Sequence, residues 1–339
     1  MSSDYPKGTV MLEKYSRVMI TGGAGFIGSY VCEEARKHGK HIVVIDDLST
    51  GKQSNLPSGV EFLRMDIAQP DSLREAMKGV DLVFHVAAQP STRTSVEDPD
   101  LDYRSNTLGT YNVLSAAREA GVRRFVYTSS SAVYGQPSKL PLRETDVPVP
   151  ATPYGASKLC GEHYCTAFAS VYGVPCTCLR PFNVYGPREN LEVSLDEVVQ
   201  YTRAVMNGQA ITVYGDGSQT RDFVYARDVA RAHIQAANSD EAVGKVLNIG
   251  TGLEVTISDL VTSIESVTGR RAAIQYDRWP EGDIFREFGD VSLARETIGY
   301  VPETDLYEGL RQVMSALKAG GPWARPWLFM WQASRNYSR

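Results

Sequence analysis

Residues 17–28 read RVMITGGAGFIG, and the other elements of the chain can be placed relative to this stretch. The run 17–21 is mostly apolar and rich in residues that favour strands, which predicts a buried β-strand. A glycine cluster follows it directly, and a helical pattern then extends over 26–38. A strand, a glycine turn and a helix in this order predict the first half of a βαβ unit.

The glycines of this stretch fit two overlapping patterns. Gly23, Gly25 and Gly28 match G-x-G-x-x-G, and a frame that begins at Gly22 matches G-x-x-G-x-x-G. Glycine permits a tight turn and lets the backbone approach a ligand closely. The first N–H groups of the helix and its positive dipole end attract a pyrophosphate. The patterns indicate a dinucleotide site, and the plainer alternative is a bare βαβ turn.

A second strand and its last residue favour the dinucleotide interpretation. The run 41–45, HIVVI, is followed directly by Asp46, about twenty residues after the glycines. A carboxylate at that distance can bind the ribose hydroxyls of the adenosine, and it repels the 2′-phosphate of NADP. No arginine follows Asp46 closely. We therefore expect NAD as the cofactor.

Length and charge exclude several classes of function. With 339 residues the chain is long enough for one large domain or two. Its net charge is −5 and it has no long basic run, so nucleic acid is not an expected partner. No apolar stretch approaches the roughly 18 residues that a membrane span requires, so no membrane association is expected.

The five cysteines indicate the cellular compartment of the protein rather than a metal-binding or catalytic role. Their number is odd and their spacing is not that of a metal site, so we expect no bound metal. Cys176 and Cys178 alternate along a predicted strand and face the same way, which is typical of core packing. The first fifteen residues contain no apolar signal segment. These features predict a reduced, cytoplasmic protein.

Strand and helix patterns alternate along most of the chain. This alternation predicts an α/β protein with a Rossmann-type doubly wound parallel sheet and a smaller C-terminal α/β substrate domain. Long helices are predicted over 103–120 and 154–172, and a short helix over 71–77. The predicted division is an NAD-binding domain with a returning segment, a substrate domain in two parts and a tryptophan-rich tail: 16–182 with 226–252, 183–225 with 253–319, and 320–339.

Tyr154 and Lys158 lie four residues apart on the second long helix, and therefore on one face of it. A free phenol has a pKa of about 10 and is a poor base at neutral pH. A nearby ammonium group and a cationic nicotinamide ring favour the phenolate and lower this pKa. By spacing alone the pair would be an exposed surface pair. Its position after a dinucleotide pattern favours a catalytic role.

The motifs between Arg17 and about Ala319 together resemble those of the extended short-chain dehydrogenases/reductases, in particular the NAD-dependent sugar-nucleotide epimerase/dehydratase family. Within that family the pattern is most like the members that epimerise UDP-hexoses (UDP-glucose and UDP-galactose) at C4. The matching motifs are TGGAGFIG at 21–28, DDL at 46–48, DI at 66–67, HVAAQ at 85–89, Asn106, SSSAVYG at 129–135, the Tyr154–Lys158 pair, RPFNVYGPR at 180–188 and GDGSQTRD at 215–222.

This resemblance implies a set of contacts with the cofactor. Phe26 and Ile27 would open the helix that binds the pyrophosphate, while Asp66 and Ile67 would flank the adenine. The implied NAD-binding residues are Gly22, Gly25, Phe26, Ile27, Gly28, Asp46, Asp47, Leu48, Ser49, Thr50, Gly51, Asp66, Ile67, Val86, Ala87, Ala88, Gln89, Asn106, Ser129, Tyr154, Lys158 and Pro181.

The resemblance also implies catalytic and substrate-binding residues. Ser130 matches the catalytic Ser/Thr of the family and joins Tyr154 and Lys158. Arg221 matches an arginine that grips the diphosphate, for which the guanidinium fork is suited. Pro280 replaces an arginine usual in the family, and Glu287 is an unusual residue at its position. The implied substrate contacts are Ser91, Ser130, Tyr154, Asn183, Thr212, Val213, Tyr214, Arg221, Arg278 and Asp283.

The triplet at 130–132 bears on the reaction. The 4,6-dehydratases of the family carry Thr-Asp-Glu there, and this chain has Ser-Ser-Ala. The resemblance therefore implies C4 epimerisation of a nucleotide-diphosphate hexose through a transient 4-keto sugar. Neither the threonine at 183 nor the arginine at 190 of glucuronate epimerases is present, which favours a neutral hexose. The alternatives are a 4,6-dehydratase or other 4-keto-forming enzyme and, in another class, a non-catalytic NAD-binding sensor or scaffold.

Two expectations concern assembly. Family members commonly pair the helices at 103–120 and 154–172 with their symmetry mates in a four-helix bundle, so we expect a homodimer. In the tail, tryptophans recur every four residues, but Pro322 and Pro326 oppose one continuous helix. We expect the tail to dock on its own subunit or a neighbour, and the alternative is a free segment that binds a partner or a membrane surface.

Overall fold

The computed structural model describes residues 12–190, 196–280 and 283–320. Within these ranges one sheet has seven strands, and three smaller sheets have two each. The strands are β1 (Arg17–Thr21), β2 (His41–Asp46), β3 (Glu61–Arg64), β4 (Leu82–His85), β5 (Arg124–Thr128), β6 (Cys176–Pro181), β7 (Asn183–Tyr185), β8 (Ala210–Tyr214), β9 (Thr220–Arg221), β10 (Phe223–Tyr225), β11 (Val246–Ile249), β12 (Val255–Thr256) and β13 (Ala273–Asp277).

The helices alternate with these strands as the sequence pattern predicts. A π-helical turn, Tyr103–Leu108, connects two of them, and short 3₁₀ turns lie at Gln53–Asn55, Ser131–Tyr134 and Asp240–Ala242. The α-helices are α1 (Phe26–Arg36), α2 (Pro70–Ala76), α3 (Thr92–Glu97), α4 (Pro99–Asp102), α5 (Gly109–Glu119), α6 (Pro153–Tyr172), α7 (Glu197–Met206), α8 (Ala226–Asn238), α9 (Ile257–Thr268), α10 (Ser292–Ile298) and α11 (Leu306–Lys318).

The main sheet confirms the predicted fold class. Its strand order is β11-β6-β5-β4-β1-β2-β3, and every neighbouring pair is parallel. The order changes direction between β1 and β4, as it does in a doubly wound Rossmann-type sheet. Ligands of such sheets bind outside the carboxyl ends of the strands at this switch point. The fold therefore places a binding cleft beside the glycine turn that follows β1.

Alternate residues of each strand enter opposite cores. Val18 and Ile20 pack on one face of the sheet with α1 and α8, whereas Met19 packs on the other face with α2 and α5. Strands buried on both faces read as continuous apolar runs, which is why the run at 17–21 showed no alternation. Cys176 and Cys178 are both buried in the second core, as their spacing predicted.

A third core lies beyond the main sheet. It contains residues such as Tyr185, Val213, Leu260 and Leu310, from β7, β8, β10, α7, α9 and α11. We call these elements, with β9, β12 and β13, the second lobe. After its first part the chain returns to the main sheet, because β11 pairs with β6. The exact domain division proposed from the sequence stays a prediction.

Several helix boundaries differ from the sequence prediction; α1, for example, ends at Arg36 rather than at 38. The short helix begins at Pro70 rather than Asp71, since proline is well suited to the first helical position. The helix predicted over 103–120 begins with the π-helical turn Tyr103–Leu108 and becomes α-helical only at Gly109. The helix predicted over 154–172 is α6, whose first turn is capped by the Thr152 side chain, which accepts from Gly155 N–H.

No helix within the described ranges is both long and apolar enough to cross a membrane. The prediction for the tryptophan-rich tail, with Trp323, Trp327 and Trp331, falls on residues outside the described part of the chain. It stays a prediction.

Candidate active site

A cleft of about 820 Å³ opens at the carboxyl ends of the central strands. One side is formed by the loops that follow β1, β2, β3 and β4, and we call it the sheet half. The other side is formed by β7, α7, β9 and the segment 283–287, and we call it the lobe half. Ser130 and Tyr154 line the cleft as well. The cleft therefore lies at the switch point where the fold predicts it.

The glycine turn is built against neighbouring backbone. Gly22 has φ +70°, and a Cβ there would lie 2.6 Å from the Cα of Ala87. A Cβ on Gly28 would overlap the carbonyl oxygen of Gly22. Among the described residues, no side chain caps the start of α1, and Gly25 to Gly28 line the cleft. This turn, with uncapped N–H groups at a helix start, fits the pyrophosphate of a dinucleotide.

Asp46 closes the far end of the glycine turn. Its carboxylate accepts hydrogen bonds from the backbone N–H of Ala24 at 3.0 Å and of Leu48 at 2.8 Å. Burial raises its pKa, while these backbone donors oppose that change. A Cβ on Gly51 would lie 3.0 Å from the Asp46 carboxylate. Leu48 and Gly51 thus shape the loop that holds Asp46.

Most residues predicted to bind the cofactor meet in the sheet half or at its border with the lobe half. Those that line the cleft are Gly22, Gly25, Phe26, Ile27, Gly28, Asp46, Asp47, Ser49, Thr50, Asp66, Ile67, Val86, Ala87, Ala88, Gln89 and Tyr154. Those predicted from the sequence but placed outside its lining are Leu48, Gly51, Asn106, Ser129, Lys158 and Pro181.

Lys158 lies beneath Tyr154 rather than in the cleft. The two side chains share one face of α6, and the Lys158 ammonium is 5.9 Å from the centre of the Tyr154 ring. It donates to the carbonyl of Thr128 at the end of β5, at 2.8 Å. Lys158 is 3% exposed, so its charge is little screened by water.

Burial shifts the pKa of each member of the pair toward its neutral form. Burial raises the pKa of Tyr154 to about 12, although a hydrogen bond with Ser130 opposes this. Burial lowers the pKa of Lys158 to about 8. The protein groups alone therefore shift the Tyr154 pKa upward, because burial outweighs the hydrogen bond with Ser130. The lowering expected with a cationic nicotinamide ring beside Tyr154 stays a prediction.

Of the three serines after β5, Ser130 and Ser131 line the cleft and Ser129 does not. The Ser130 hydroxyl bonds Tyr154 at the cleft, and its catalytic role stays a prediction. Ser129 instead donates to Glu162 at 2.5 Å, and Glu162 forms a buried ion pair with Arg180 at 2.7 Å. Ser129 therefore tethers β5 to α6 and does not face the cleft.

Asn106 belongs to a buried network behind the cleft. Its amide accepts from the backbone N–H of Gln89 at 2.8 Å and donates to Asp102 at 2.8 Å and to Ser157 at 3.2 Å. Asp102 is 1% exposed and also raises the pKa of Tyr154. Asp102 could not be predicted from the sequence, since a single acid in a helix pattern gives no signal of burial. The π-helical turn that carries Asn106 is a feature common at functional sites.

The lobe half is charged. Arg221 is 9% exposed and donates to the carbonyl groups of Thr220 and Ile284, both at 2.8 Å. Asn183 donates to Glu287 at 3.3 Å. Burial raises the pKa of Glu197, and the nearby carboxylates of Asp283 and Glu287 raise it further. The charge of Arg221 opposes this rise. Sequence reasoning missed Glu197, which gave no motif.

Some residues predicted to contact substrate are elsewhere. Ser91, Asn183, Arg221 and Asp283 line the cleft with Ser130 and Tyr154. Thr212, Val213 and Tyr214 belong to β8, where they pair with β13, and they are absent from the lining, as is the exposed Arg278. Among the described residues, no group of three or more His, Cys, Asp or Glu side chains is placed to hold a metal ion.

Fold and cleft define the class. A doubly wound parallel sheet, a glycine turn at its switch point, a carboxylate at the end of the second strand and a Tyr–Lys pair are the features of an NAD-dependent short-chain dehydrogenase/reductase. A family model described as the NAD dependent epimerase/dehydratase family matches residues 18–250. The chain belongs to this family.

Individual relatives match along almost their whole length. UDP-glucose 4-epimerase from Mycolicibacterium smegmatis is 38% identical over 307 residues, 88% of this chain and 97% of that protein. A UDP-glucose 4-epimerase from Thermotoga maritima, solved with UDP-glucose, is 34% identical with a TM-score of 0.85, covering 89% of this chain and 99% of the other. The Thermus thermophilus enzyme of the same name, solved with NAD, is 35% identical with a TM-score of 0.84, covering 90% and 99%.

Proposed function

We propose that this chain is an NAD-dependent nucleotide-sugar 4-epimerase that acts on a UDP-hexose of the UDP-glucose/UDP-galactose type. One observation supports this most directly. Tyr154 and Ser130 meet at the cleft, and the two positions after Ser130 hold Ser131 and Ala132, which offer no carboxylate for proton transfer at carbon. The named relatives are similar over nearly their full length.

The residues of the sheet half fit NAD. The turn at Gly22 and the start of α1 would hold the pyrophosphate, and Asp46 would hold the ribose of the adenosine. Asp66 and Ile67 line the cleft where the adenine is expected. When bound, NAD supplies the acceptor, and in its reduced form the donor, for the hydride at C4 of the sugar. It also supplies a positive charge that favours the Tyr154 phenolate.

Proton transfer at the 4-hydroxyl belongs to Tyr154. Ser130 bonds the phenol and supports its deprotonated form, because a hydrogen bond to the charged form favours that form. Lys158 is fixed by the Thr128 carbonyl and adds a positive charge behind the ring. Tyr154 takes the hydroxyl proton as the 4-keto sugar forms, and it returns the proton when the 4-hydroxyl is restored.

Substrate binding belongs to the lobe half. Arg221 would grip the diphosphate, since a guanidinium forms paired charge-assisted hydrogen bonds with phosphate oxygens. With the diphosphate held there, the keto sugar can turn so that either face of its C4 carbonyl meets the cofactor. Asn183 and the carboxylate of Glu287 provide hydrogen-bonding groups for sugar hydroxyls. The carboxylates around Arg221 disfavour a uronate and support a neutral hexose.

The reaction is tested in deuterated water. A UDP-hexose incubated with the enzyme should reach a mixture of its two C4 epimers with no deuterium on any ring carbon, as mass spectrometry of the recovered sugar would show. A 4,6-dehydratase must exchange the C5 proton by acid–base chemistry at carbon. A product lighter by one water, or deuterium at C5, would support the dehydratase instead. No turnover at all would support a non-catalytic NAD-binding sensor or scaffold.

We propose that the chain forms a homodimer through α5 and α6. These helices expose Tyr111, Val171 and Tyr172, and Tyr111 lies 5.6 Å from Tyr164 between ring centres. A contiguous exposed apolar surface of this kind is typical of an interface. Sedimentation should show a dimer at micromolar concentration, and a monomer there would contradict the proposal.

We also propose a cytoplasmic location. All five cysteines are free thiols, and four of them are buried. Free thiols persist in a reducing compartment. Cell fractionation should recover the protein with cytoplasmic markers, and recovery with periplasmic or secreted markers would oppose this.

A further inference from the structure

The segment 186–190, which follows β7, crosses the rim of the sheet half, and we call it the strap. At one end, the carbonyl of Pro187 accepts a hydrogen bond from the Tyr30 hydroxyl of α1 at 3.0 Å. At the other end, the Asn190 amide donates to the carbonyl of Thr50 at 3.0 Å. The strap therefore links the start of the pyrophosphate helix to the loop that follows Asp46.

Arg188 anchors the strap to α1. Its φ is +74°, a conformation that non-glycine residues adopt only where the surrounding structure requires it. Its guanidinium donates to the Ser29 hydroxyl at 3.2 Å, pairs with Glu33 and lies 4.6 Å over the Tyr30 ring. Three separate contacts thus compensate for an unfavourable backbone conformation.

A second arginine completes the cluster. Arg227, in the first turn of α8, bonds Glu33 at 3.1 Å and Glu34 at 2.9 Å, and lies 5.5 Å over the same Tyr30 ring. The Arg188 and Glu33 side chains are 23% and 25% exposed, so the pairs are only partly screened by water. We call Arg188, Arg227, Glu33, Glu34 and Tyr30 the latch.

The strap forms part of the wall around the predicted cofactor. Glu189 and Asn190 line the cleft together with Thr50, Phe26 and Ile27, whereas Arg188 lies outside it. A dinucleotide held between α1 and the loop at 46–50 must pass this rim to leave. We propose that the Arg188 latch keeps the strap closed and thereby sets how slowly bound NAD exchanges with free NAD.

Slow exchange suits the proposed reaction, on which this inference rests. Epimerisation removes a hydride from the sugar and returns it, so the cofactor ends each cycle in the oxidation state in which it began. A cofactor of this kind has no need to leave between cycles. The latch acts on retention and touches neither the sugar nor Tyr154, so Arg188 is a positioning residue.

The test measures cofactor exchange in the holoenzyme. The parent and Arg188→Ala are mixed with excess NAD deuterated on the nicotinamide ring. Samples are denatured over time, and the released NAD is analysed by mass spectrometry. Loss of charge-assisted hydrogen bonds should speed exchange in the variant by about tenfold or more. High salt should speed exchange more in the parent than in the variant, because salt screens the partly exposed Arg188–Glu33 pair that the variant lacks.

Two further variants separate the side chain from the backbone. Arg188→Gly relieves the positive φ but removes the Arg188 side chain from the latch. It should therefore exchange NAD as fast as Arg188→Ala. Glu33→Gln leaves Arg188 and its backbone intact and should exchange at an intermediate rate. Arg311→Ala is the matched control, because Arg311 also stacks on a tyrosine, Tyr307 at 4.8 Å, but on α11.

The outcomes are distinct. Exchange in Arg188→Ala or Arg188→Gly within about twofold of the parent would overturn the latch. Equal acceleration in Arg311→Ala would overturn it too, since the effect would then be general loosening. A latch that fails leaves C4 epimerisation by the parent unchanged. A parent that neither retains NAD nor epimerises would overturn the proposed function together with the latch.

Discussion

The two halves of the cleft differ in whether backbone or side chains form them. The sheet half is mostly backbone: a glycine turn, the uncapped start of α1 and a carboxylate held by two N–H groups. The lobe half is mostly charged side chains from separate elements. Glu197 comes from α7, Arg221 from β9, and Asp283 and Glu287 from the segment after β13.

This difference decides how each half responds to change. A backbone-built site depends on which residues allow the required conformation, so its weak points are glycines. A site built from side chains depends on the tertiary packing that brings distant residues together. The first kind follows from a short stretch of sequence, and the second does not. The following experiments test this distinction.

The largest effect is expected where the halves meet, at Tyr154. Tyr154→Phe removes the proposed acceptor of the 4-hydroxyl proton and should lower kcat by about 10²- to 10⁴-fold. Bound NAD, measured by extraction, should stay at the parental level, because the sheet half is untouched. Tyr214→Phe is the control, since Tyr214 is exposed on β8 and outside the cleft. Turnover by Tyr154→Phe within about tenfold of the parent would remove Tyr154 from its role.

The next effect concerns the backbone of the sheet half. Gly22 and Gly39 have similar φ values, +70° and +66°, but only Gly22 is crowded by Ala87. Gly39→Ala should cost about 1–2 kcal/mol in the free energy of unfolding, the cost of an alanine in this conformation. Gly22→Ala should cost more and should also lose bound NAD. Denaturant unfolding and NAD extraction measure both, and equal behaviour of the two variants would contradict a backbone-built site.

A smaller effect is expected for a side chain of the lobe half. Arg221→Ala should raise KM for the nucleotide sugar roughly 10- to 100-fold, because hydrogen bonds to a charged group are lost. Arg278→Ala should leave KM within about twofold of the parent, since Arg278 is exposed and outside the lining. Steady-state kinetics on the two variants distinguishes them. A larger change in KM for Arg278→Ala than for Arg221→Ala would contradict the placement of Arg221, rather than Arg278, in the substrate site.

The smallest effect is on the pH dependence of stability, and its sign differs between regions. Burial lowers the pKa of His85 to about 3 and of His233 to about 4, from an ordinary 6.5. Below pH 6.5 the unfolded chain binds protons that these folded histidines do not, so acid destabilises the fold by up to about 1.4 kcal/mol per pH unit for each. The raised pKa of Glu197 acts in the opposite direction, since the folded state then holds the extra proton.

Variants separate the two signs. Thermal unfolding between pH 7 and about pH 5 should show a steeper loss of stability in Glu197→Gln than in the parent, and a shallower loss in His233→Gln. Unchanged slopes in both variants would mean that neither group is perturbed in the folded protein.

The sheet half and the fold followed from the sequence because their determinants are local. One strand, one glycine turn and one acid about twenty residues later place Gly22, Phe26 and Asp46 without any knowledge of distant contacts. The Tyr154–Lys158 pair followed for the same reason, since i and i+4 share a helix face. Ser129 did not, because only the fold reveals the Glu162–Arg180 pair to which it bonds.

The lobe half could be predicted only in part. Asn183 and Arg221 carry family motifs and line the cleft, whereas the strand 212–214 pairs with β13 and lies outside it. Glu197 and Asp102 gave no sequence signal, because burial of an acid is decided by packing from other elements. The desolvation that raises the Tyr154 pKa could not be predicted either, since burial is a property of the assembled fold.

The return of the chain to the main sheet also bears on synthesis. Val246 of β11 pairs with Cys178 of β6, although roughly 70 residues separate them. At about 5–20 residues per second on the ribosome, β6 waits several seconds as an open edge before its last partner emerges. An open edge strand invites pairing with another chain. Only the first part of the second lobe, from β7 to β10, is translated in that interval, so the edge of β6 stays open until β11 emerges.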